Sequence, residues 1–286
     1  MPDARGTLYV VATPIGNLGD VTLRALETLR AVPLIAAEDT RIARRLLARH
    51  EIRTRLISYH AQSAGGRLEE LLAHLRGGAD VALVTDAGTP AISDPGDELV
   101  GAWAGEGGRV VPIPGPSAVL AAVAASAVAG PRWSFEGFLP RTGRERRERL
   151  ARIAGDDHGT VLFEAPTRLA GTLRDLVAAC GADRPAAVCR ELTKLHEQIV
   201  RASLAELVEA VRVGEIPARG EVVIVVGPAT AGALMSDERR VALADGRAQV
   251  GALVAGGLSR SEAARRVAAA TGLSRRTLYR ADDQVK

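Results

Sequence analysis

The sequence predicts an α/β protein with two α/β domains and a small helical C-terminal extension. In the first half of the chain, short apolar runs alternate with helical patterns, which is typical of a doubly wound parallel sheet. In the second half, two predicted strands are separated by only a brief turn, which indicates a mixed sheet. From residue 236 onward the pattern is helical throughout. We therefore predict domains over residues 1–118 and 119–232 and an extension over residues 236–286.

The N-terminal domain contains five short apolar runs that are consistent with buried strands. These predicted strands cover residues 8–12, 34–37, 55–58, 81–85 and 110–113. Apolar residues at helical spacing predict helices over residues 22–31 and 40–49. The hydrophobic content is 47% with only 3% aromatic residues, so the core consists mainly of aliphatic side chains. Such a core suits a parallel sheet that is covered by helices.

The C-terminal domain contains five further predicted strands. They cover residues 135–138, 160–164, 186–190, 198–202 and 221–226. Predicted helices cover residues 118–129, 144–153, 167–180 and 204–213. The turn over residues 192–197 is too short for a crossover helix, so the strands on either side of it should be antiparallel. The apolar helix over 118–129 is too short to span a bilayer, and we expect it to be buried.

Composition limits the classes of protein that the chain can belong to. The formal net charge of +3 is small, so global charge alone does not establish a nucleic-acid partner. The two cysteines, Cys180 and Cys189, have no metal-ligand spacing around them. No secretory signal pattern is evident either. We therefore expect a soluble, cytoplasmic protein that holds no metal.

Loops rich in glycine and proline follow three of the predicted parallel strands. They cover residues 13–19, 86–96 and 114–118. Open α/β sheets bind ligands at the carboxyl ends of their strands, and proline makes such a rim stiff. None of the loops matches the glycine patterns of dinucleotide or nucleoside triphosphate sites. The loops therefore favour one rigid site for a nucleoside-like ligand, although each loop alone could be only a turn.

Six segments of the chain resemble one known family. They are LYVVATPIGNLGD at 8–20, AEDTR at 37–41, DAGTPAISDPG at 86–96, PGPSA at 114–118, FEAPTR at 163–168 and RELTKLHE at 190–197. These segments are similar to those of the bacterial ribosomal RNA small subunit methyltransferase I family, within the tetrapyrrole methylase-like superfamily. The resemblance covers nearly the whole chain. One departure is Thr167, where the family pattern has histidine.

This resemblance implies a homodimeric methyltransferase that binds S-adenosylmethionine in a cleft between its two α/β domains. It implies as substrate a cytidine in the decoding region of 16S ribosomal RNA, within the small subunit, methylated on its ribose 2′-oxygen. The cofactor-binding residues that the resemblance implies are Thr13, Pro14, Thr89, Pro90, Ile92, Ser117, Ala118, Ala165, Arg190 and Glu221.

A ribose hydroxyl is a poor nucleophile until it loses its proton, so a carboxylate near the acceptor should accelerate transfer. The candidate catalytic residues are Glu38, Asp39, Glu164 and Lys194, of which the lysine would stabilise the developing alkoxide. Asp39 could instead cap a helix, and Glu164 could pair with Arg168 four residues later. Asp94 could organise its own turn or contact the ligand.

Arginines are the candidate contacts to RNA. The predicted RNA-binding residues are Arg41, Arg144, Arg147, Arg275, Arg276 and Arg280. The last three lie in a segment that resembles a helix-turn-helix, which could alternatively support a dimer. In the segment 141–149, pairing of Glu145 with Arg149 and of Arg144 with Glu148 would leave only a solvated helix face. Binding through arginine and phosphate should weaken steeply with salt.

Two other functions remain open from the sequence. A methyltransferase of tetrapyrrole intermediates would use the same scaffold, but it would need basic groups inside the cleft rather than in a C-terminal helix pair. A ligand-sensing DNA-binding regulator would read operators through that helix pair. Deletion from residue 236 onward separates the regulator, which would lose all DNA binding, from a methyltransferase, which would keep cofactor binding.

Overall fold

The computed structural model describes residues 5–60, 66–229 and 237–279. The described residues of 5–153 and 158–228 form one compact unit, and those of 154–157 and 229–279 form a second. None of the described helices is both long enough and apolar enough to cross a bilayer.

The first sheet has five strands, and all of its strand pairs are parallel. The strands are β1 (Thr7–Val11), β2 (Leu34–Ala37), β3 (Arg55–Ser58), β4 (Val81–Val84) and β5 (Arg109–Ile113). Their order across the sheet is β3-β2-β4-β1-β5. Every residue of β2 and β4 is buried, because these strands carry apolar side chains on both faces. The predicted parallel sheet is confirmed.

Helices cover both faces of this sheet. They are α1 (Leu23–Ala31), α2 (Thr40–Arg49), α3 (Gly66–Arg76) and α4 (Asp97–Gly105). Ile35 and Ala82 face α1 and α2, whereas their chain neighbours Leu34 and Val81 face α3 and α4. This alternation follows from the two-residue period of a strand. The first sheet therefore has a separate core on each face. The three loops rich in glycine and proline lie outside these two cores.

The second sheet is mixed. Its strands are β6 (Trp133–Phe138), β7 (Gly159–Glu164), β8 (Pro185–Arg190), β9 (Gln198–Ser203) and β10 (Val222–Val226). Their order is β6-β7-β10-β8-β9, and only β6 and β7 are parallel. The antiparallel pairing of β8 with β9 confirms the expectation from their brief connecting turn.

Four helices pack on the second sheet. They are α5 (Ala118–Ser126), α6 (Gly143–Gly155), α7 (Leu169–Cys180) and α8 (Leu204–Arg212). The last three share one core with Leu162 and Ile224 of the sheet. The apolar α5 covers the opposite face, where Val119 and Ala122 pack with Val225. Ser117 caps α5 by accepting a hydrogen bond from the Leu120 N–H at 3.4 Å, so the loop after β5 leads directly into this second core.

The described part of the second compact unit contains three helices, namely α9 (Asp237–Ala255), α10 (Arg260–Thr271) and α11 (Arg275–Tyr279). Ser259 caps α10, and Gly272 ends it in the left-handed conformation with φ of 71°. Ala263, Ala264 and Val267 are buried, as their spacing on one helix face indicates. The unit therefore has its own small core.

Candidate functional site

A cavity of about 350 Å³ lies where the strand ends of the two sheets meet within the first compact unit. The loop after β4 contributes one wall, from Ala87 to Asp94, and the start of α5 contributes another. The end of β7 and the start of β10 complete it, because antiparallel pairing places Val222 opposite Glu164. Its volume lies near the lower end of the range for small-molecule sites.

The loop after β4 is held in an unusual backbone conformation. Ala91 and Ser93 have φ of 68° and 66°, in the left-handed region that side chains disfavour. Thr13 and Gly88 exchange backbone hydrogen bonds of 2.8 and 3.1 Å, which tie this loop to the one after β1. Such strain persists only where surrounding structure enforces it and is common at ligand sites. The wall is therefore preformed.

Six of the ten predicted cofactor-binding residues line the cavity. They are Thr89, Ile92, Ser117, Ala118, Ala165 and Glu221. The other four do not line it, and the structure gives each a supporting position.

Among those four, Thr13 is buried and donates its hydroxyl to the Thr85 carbonyl at 3.1 Å. Pro14 and Pro90 are buried in the same loops. The buried Arg190 guanidinium donates to the side chain of Gln198 and to the carbonyls of Arg219 and His196, at 3.2 to 3.4 Å. These residues hold the loops that carry the cavity walls.

Several lining residues were not among the predicted site residues. They include Ile15, Gly88, Ser93, Asp94, Phe138, Phe163, Leu192 and Gly220. Asp94 lies in the segment 86–96, where the sequence left its role open. Phe138 and Phe163 are two of only three phenylalanines, and their ring centroids lie 5.6 Å apart. Gly220 carries no local signal, because it reaches the cavity only through the pairing of β10 with β7.

Three acidic side chains, Glu38, Asp86 and Asp94, surround Thr85 at the edge of the cavity. Burial raises the pKa of Asp94 to about 6, and the charges of Glu38 and Asp86 add to this effect, whereas the Thr85 side chain opposes it. Burial also raises the pKa of Asp86. Negative charge is therefore concentrated here, in surroundings that suit a cationic ligand.

Glu38 and Asp39, the predicted acceptor-side residues, follow β2 but do not line the cavity. The Glu38 Oε2 atom accepts hydrogen bonds from the Thr85 hydroxyl at 2.7 Å and the Asp86 N–H at 3.4 Å. Asp39 caps α2 by accepting from the Arg41 N–H at 2.7 Å. Side-chain hydrogen bonds from Arg41 lower the pKa of Asp39 to about 2. Such a carboxylate is a weak proton acceptor, and the geometry favours the capping role.

Glu164 lines the cavity, but its side chain is fully buried and bonded on both oxygens. Its Oε1 accepts from the Ala165 N–H at 2.8 Å and lies 3.2 Å from the Arg168 Nε. Its Oε2 accepts from the Thr172 hydroxyl. The geometry therefore agrees with the ion pair that the spacing of Glu164 and Arg168 allowed.

Lys194 bridges two carboxylates in the turn between β8 and β9. Its Nζ donates to Glu191 at 2.8 Å and to Glu221 at 3.0 Å. Burial lowers the pKa of Lys194, but the hydrogen bonds to the two carboxylates outweigh burial and raise it overall. The lysine is therefore cationic, and it holds the Glu221 side chain at the cavity.

The arginines of α6 are largely neutralised by neighbouring acids. Arg144 pairs with Glu148 at 2.5 Å, and Arg149 pairs with Glu145 at 2.8 Å, as their spacing allowed. Arg147 is exposed.

In the second compact unit, Arg275 donates to the Ser261 hydroxyl at 2.9 Å. The side chain of Arg276 and all of Arg280 lie outside the described residues. Of the predicted RNA contacts in this unit, only Arg275 therefore has a described side chain.

Comparison with known proteins first defines the class. The family model for tetrapyrrole (corrin/porphyrin) methylases matches residues 7–208. Cobalt precorrin-4 methyltransferase, a cobalamin biosynthetic enzyme, superimposes with a TM-score of 0.61 at 23% identity, over 80% of this chain and 96% of that one. Uroporphyrin-III C-methyltransferase from Thermus thermophilus, complexed with S-adenosyl homocysteine, superimposes with a TM-score of 0.56 at 21% identity. The match covers 78% of this chain and 97% of that one. The chain has the tetrapyrrole methylase fold.

Closer relatives define the family. The ribosomal RNA small subunit methyltransferase I of Synechocystis sp. is 47% identical over 274 residues, or 96% of each chain. The protein of that name from Mesorhizobium japonicum is 45% identical over 96% of this chain and 90% of its own length. The chain belongs to the ribosomal RNA small subunit methyltransferase I family. This membership favours the interpretation as a ribosomal RNA methyltransferase over the tetrapyrrole enzyme and the DNA-binding regulator.

Proposed function

We propose that this chain transfers a methyl group from S-adenosylmethionine to the ribose 2′-oxygen of a cytidine in the decoding region of 16S ribosomal RNA. The observation that carries this proposal is the identity of 47% over 96% of the chain to a ribosomal RNA small subunit methyltransferase I. The cavity at the strand ends is the site where we place the reaction.

The residues at the cavity fit S-adenosylmethionine. Apolar side chains such as Ile92 and Val223 line most of it and would cover the adenosine. The carboxyl of Asp94 offers opposite charge to the cationic groups of the cofactor. Backbone N–H groups at the start of α5, beside Ser117, suit its carboxylate. When bound, the cofactor supplies an electrophilic methyl group on a sulfonium sulfur.

The chain's own contribution to the rate is position and proton transfer. A preformed wall holds the acceptor hydroxyl in line and limits the water around it, which supplies much of the acceleration of such a displacement. Among the predicted catalytic residues, we assign proton acceptance to the Glu38 carboxylate. The Thr85 hydroxyl donates a hydrogen bond to Glu38 and holds this carboxylate beside the cavity. The alternatives are less suitable, because Asp39 is paired with Arg41 and Glu164 accepts hydrogen bonds on both oxygens. Lys194 positions Glu221.

The decisive experiment is transfer of a tritiated methyl group to small ribosomal subunits that lack the modification, followed by nuclease mapping. We expect label on the ribose of one cytidine in the decoding region. Label on a base, or no label on RNA, would overturn the proposal. The Glu38→Gln variant should bind the cofactor normally in calorimetry but transfer methyl about 10²- to 10⁴-fold more slowly, because its amide cannot accept the proton. An unchanged rate would remove Glu38 from this role.

The proposal includes a homodimer, as the family resemblance implies. It also includes a location in the cytoplasm, which the composition of the sequence leads us to expect. Light scattering of the purified protein should give twice the monomer mass, and a monomer at micromolar concentration would contradict it. The predicted contacts to RNA also stay proposals, namely those from Arg41, Arg144, Arg147, Arg275, Arg276 and Arg280.

A further inference from the structure

The exposed face of α2 carries a row of arginines. The helix contains four arginines, Arg41, Arg44, Arg45 and Arg49, and no acidic residue. All four are exposed, whereas Leu46 and Leu47 on the opposite side are buried in the core. Residues three, four and eight positions apart share one side of a helix, so the four guanidinium groups project from the same face. We call this set the α2 arginine face.

Three arginines of this face have no acidic partner among the described residues. Asp39 engages only Arg41, and no carboxylate of the described chain pairs with Arg44, Arg45 or Arg49. The charged helix α6 differs, since Arg144 and Arg149 pair with glutamates of the same helix. Arg49 lies in the last turn of α2, where a positive charge interacts favourably with the helix dipole. No such contribution to helix stability accounts for Arg44 and Arg45.

The α2 arginine face begins beside the cavity. The Asp39 N–H at the start of α2 donates to the Asp86 Oδ1 at 2.9 Å, and Ala87, the next residue after Asp86, lines the cavity. From there the ten residues of α2 extend for about 15 Å along the first sheet. A polyanion that enters the cavity with one nucleotide would therefore have neighbouring phosphates close to this face.

We propose that Arg44, Arg45 and Arg49 form a phosphate-binding surface for the RNA on either side of the target nucleotide. This inference rests on the proposed function. Guanidinium groups bind phosphate oxygens through paired hydrogen bonds, which Arg provides better than Lys. Contacts of this kind set affinity and register without reading sequence. The face thus holds the RNA strand while the cavity selects the reacting nucleotide.

The test compares two triple variants that remove the same charge. The first is Arg44→Gln, Arg45→Gln and Arg49→Gln. The control is Arg109→Gln, Arg174→Gln and Arg212→Gln, which takes three exposed arginines from other elements. Both full-length proteins are titrated with unmodified small ribosomal subunits and with the naked ribosomal RNA at several salt concentrations. Cofactor calorimetry on both verifies that the cavity is intact.

We expect the α2 variant to bind RNA about 100-fold more weakly than the wild type at about 0.1 M salt. Its slope of log affinity against log salt should be shallower by about 2, because each lost phosphate contact removes about 0.7. The control should stay within about threefold of wild type, since it lacks those contacts.

Equal binding by the α2 variant and the control would overturn this inference and leave the proposed function intact. A wild-type protein that binds neither RNA would overturn both. An α2 variant that loses binding to subunits but not to naked RNA would also contradict the inference. In that case the α2 arginine face would contact a ribosomal protein rather than RNA phosphates.

Discussion

The Asp94 carboxyl is half-buried beside Glu38 and Asp86, and this environment makes its charge depend on pH near neutrality. Its pKa of about 6 lies well above the ordinary value of 3.8. The group is therefore ionised above about pH 6 and becomes neutral as the pH falls through that value. A cationic ligand that needs this carboxylate should bind more weakly in acid.

We predict that the affinity for S-adenosylmethionine falls as the pH is lowered from about 8 to about 5, by up to about tenfold per unit below the pKa. Asp94→Asn should bind about 10- to 100-fold more weakly at about pH 8, because it lacks the charge, and its affinity should not vary with pH. Calorimetry across this range measures both effects. A wild-type affinity that is flat with pH would show that Asp94 does not contact the cofactor.

Arg146 shows how burial separates arginines that look alike in sequence. Its guanidinium is almost inaccessible and donates to Asp175 at 2.7 Å, to the Pro140 carbonyl at 2.8 Å and to the Thr172 hydroxyl at 3.0 Å. Arg144, two residues earlier, is 86% exposed. Only the first can contribute substantially to stability.

We predict that Arg146→Ala lowers the free energy of unfolding by about 3 kcal/mol, because it removes the buried hydrogen bonds to Thr172 and the Pro140 carbonyl together with the ion pair to Asp175. The matched variant Arg144→Ala should change it by less than about 0.5 kcal/mol, since exposed pairs contribute little. Urea titration of both variants gives the comparison. Similar values for the two would mean that the network around Arg146 contributes nothing.

At the scale of elements, Gly220 lies just before β10 and packs closely against Glu191, in the turn between β8 and β9. It has φ of 84°, and a Cβ there would lie 2.5 Å from the Glu191 side chain. The Glu191 carboxylate in turn accepts from the Glu221 N–H at 3.0 Å and from Lys194. A side chain at 220 would therefore displace the group that holds Glu221 at the cavity.

Gly220→Ala should lower the free energy of unfolding by about 2–4 kcal/mol, through backbone strain and steric conflict together. Gly214→Ala is the control, because Gly214 has φ of 82° but no atom within 4 Å of the added Cβ. It should cost only about 1 kcal/mol of strain. Thermal unfolding and cofactor calorimetry are the measurements, and cofactor affinity should fall only in the first variant. Equal losses of stability in the two variants would show that the Glu191 side chain moves aside at no cost.

Elements differ in how well their sequences predicted them. The strands of the first sheet and the helices α1 and α2 lie within two residues of their predicted bounds, because their apolar periods and glycine-proline loops are local signals. No bounds were predicted for α3 and α4. The segment 144–153 was correctly predicted as a helix, but its sequence did not distinguish the buried Arg146 from its exposed neighbours. That difference depends on Asp175 and Thr172 of α7, far along the chain.

At the scale of the whole molecule, the helices after residue 236 belong to a compact unit with its own core, in which five of the described side chains are buried. The domain boundaries 1–118, 119–232 and 236–286 remain predictions. We expect the chain truncated after residue 235 to bind S-adenosylmethionine like the full chain and to lose affinity for small ribosomal subunits. Calorimetry and subunit binding test this prediction. Unchanged subunit affinity would instead favour the role in dimer support.

The sequence by itself determined the two α/β cores, the family, and the loops that carry the site, because periodicity and turn residues act between near neighbours. Only the tertiary structure decided which side chains of those loops face the cavity. Asp94 and Gly220 line the cavity, whereas Thr13 and Arg190 do not line it and instead form hydrogen bonds to the backbone of neighbouring segments. The reason is that sheet order and register bring distant segments together, and register is set by packing that no local pattern records.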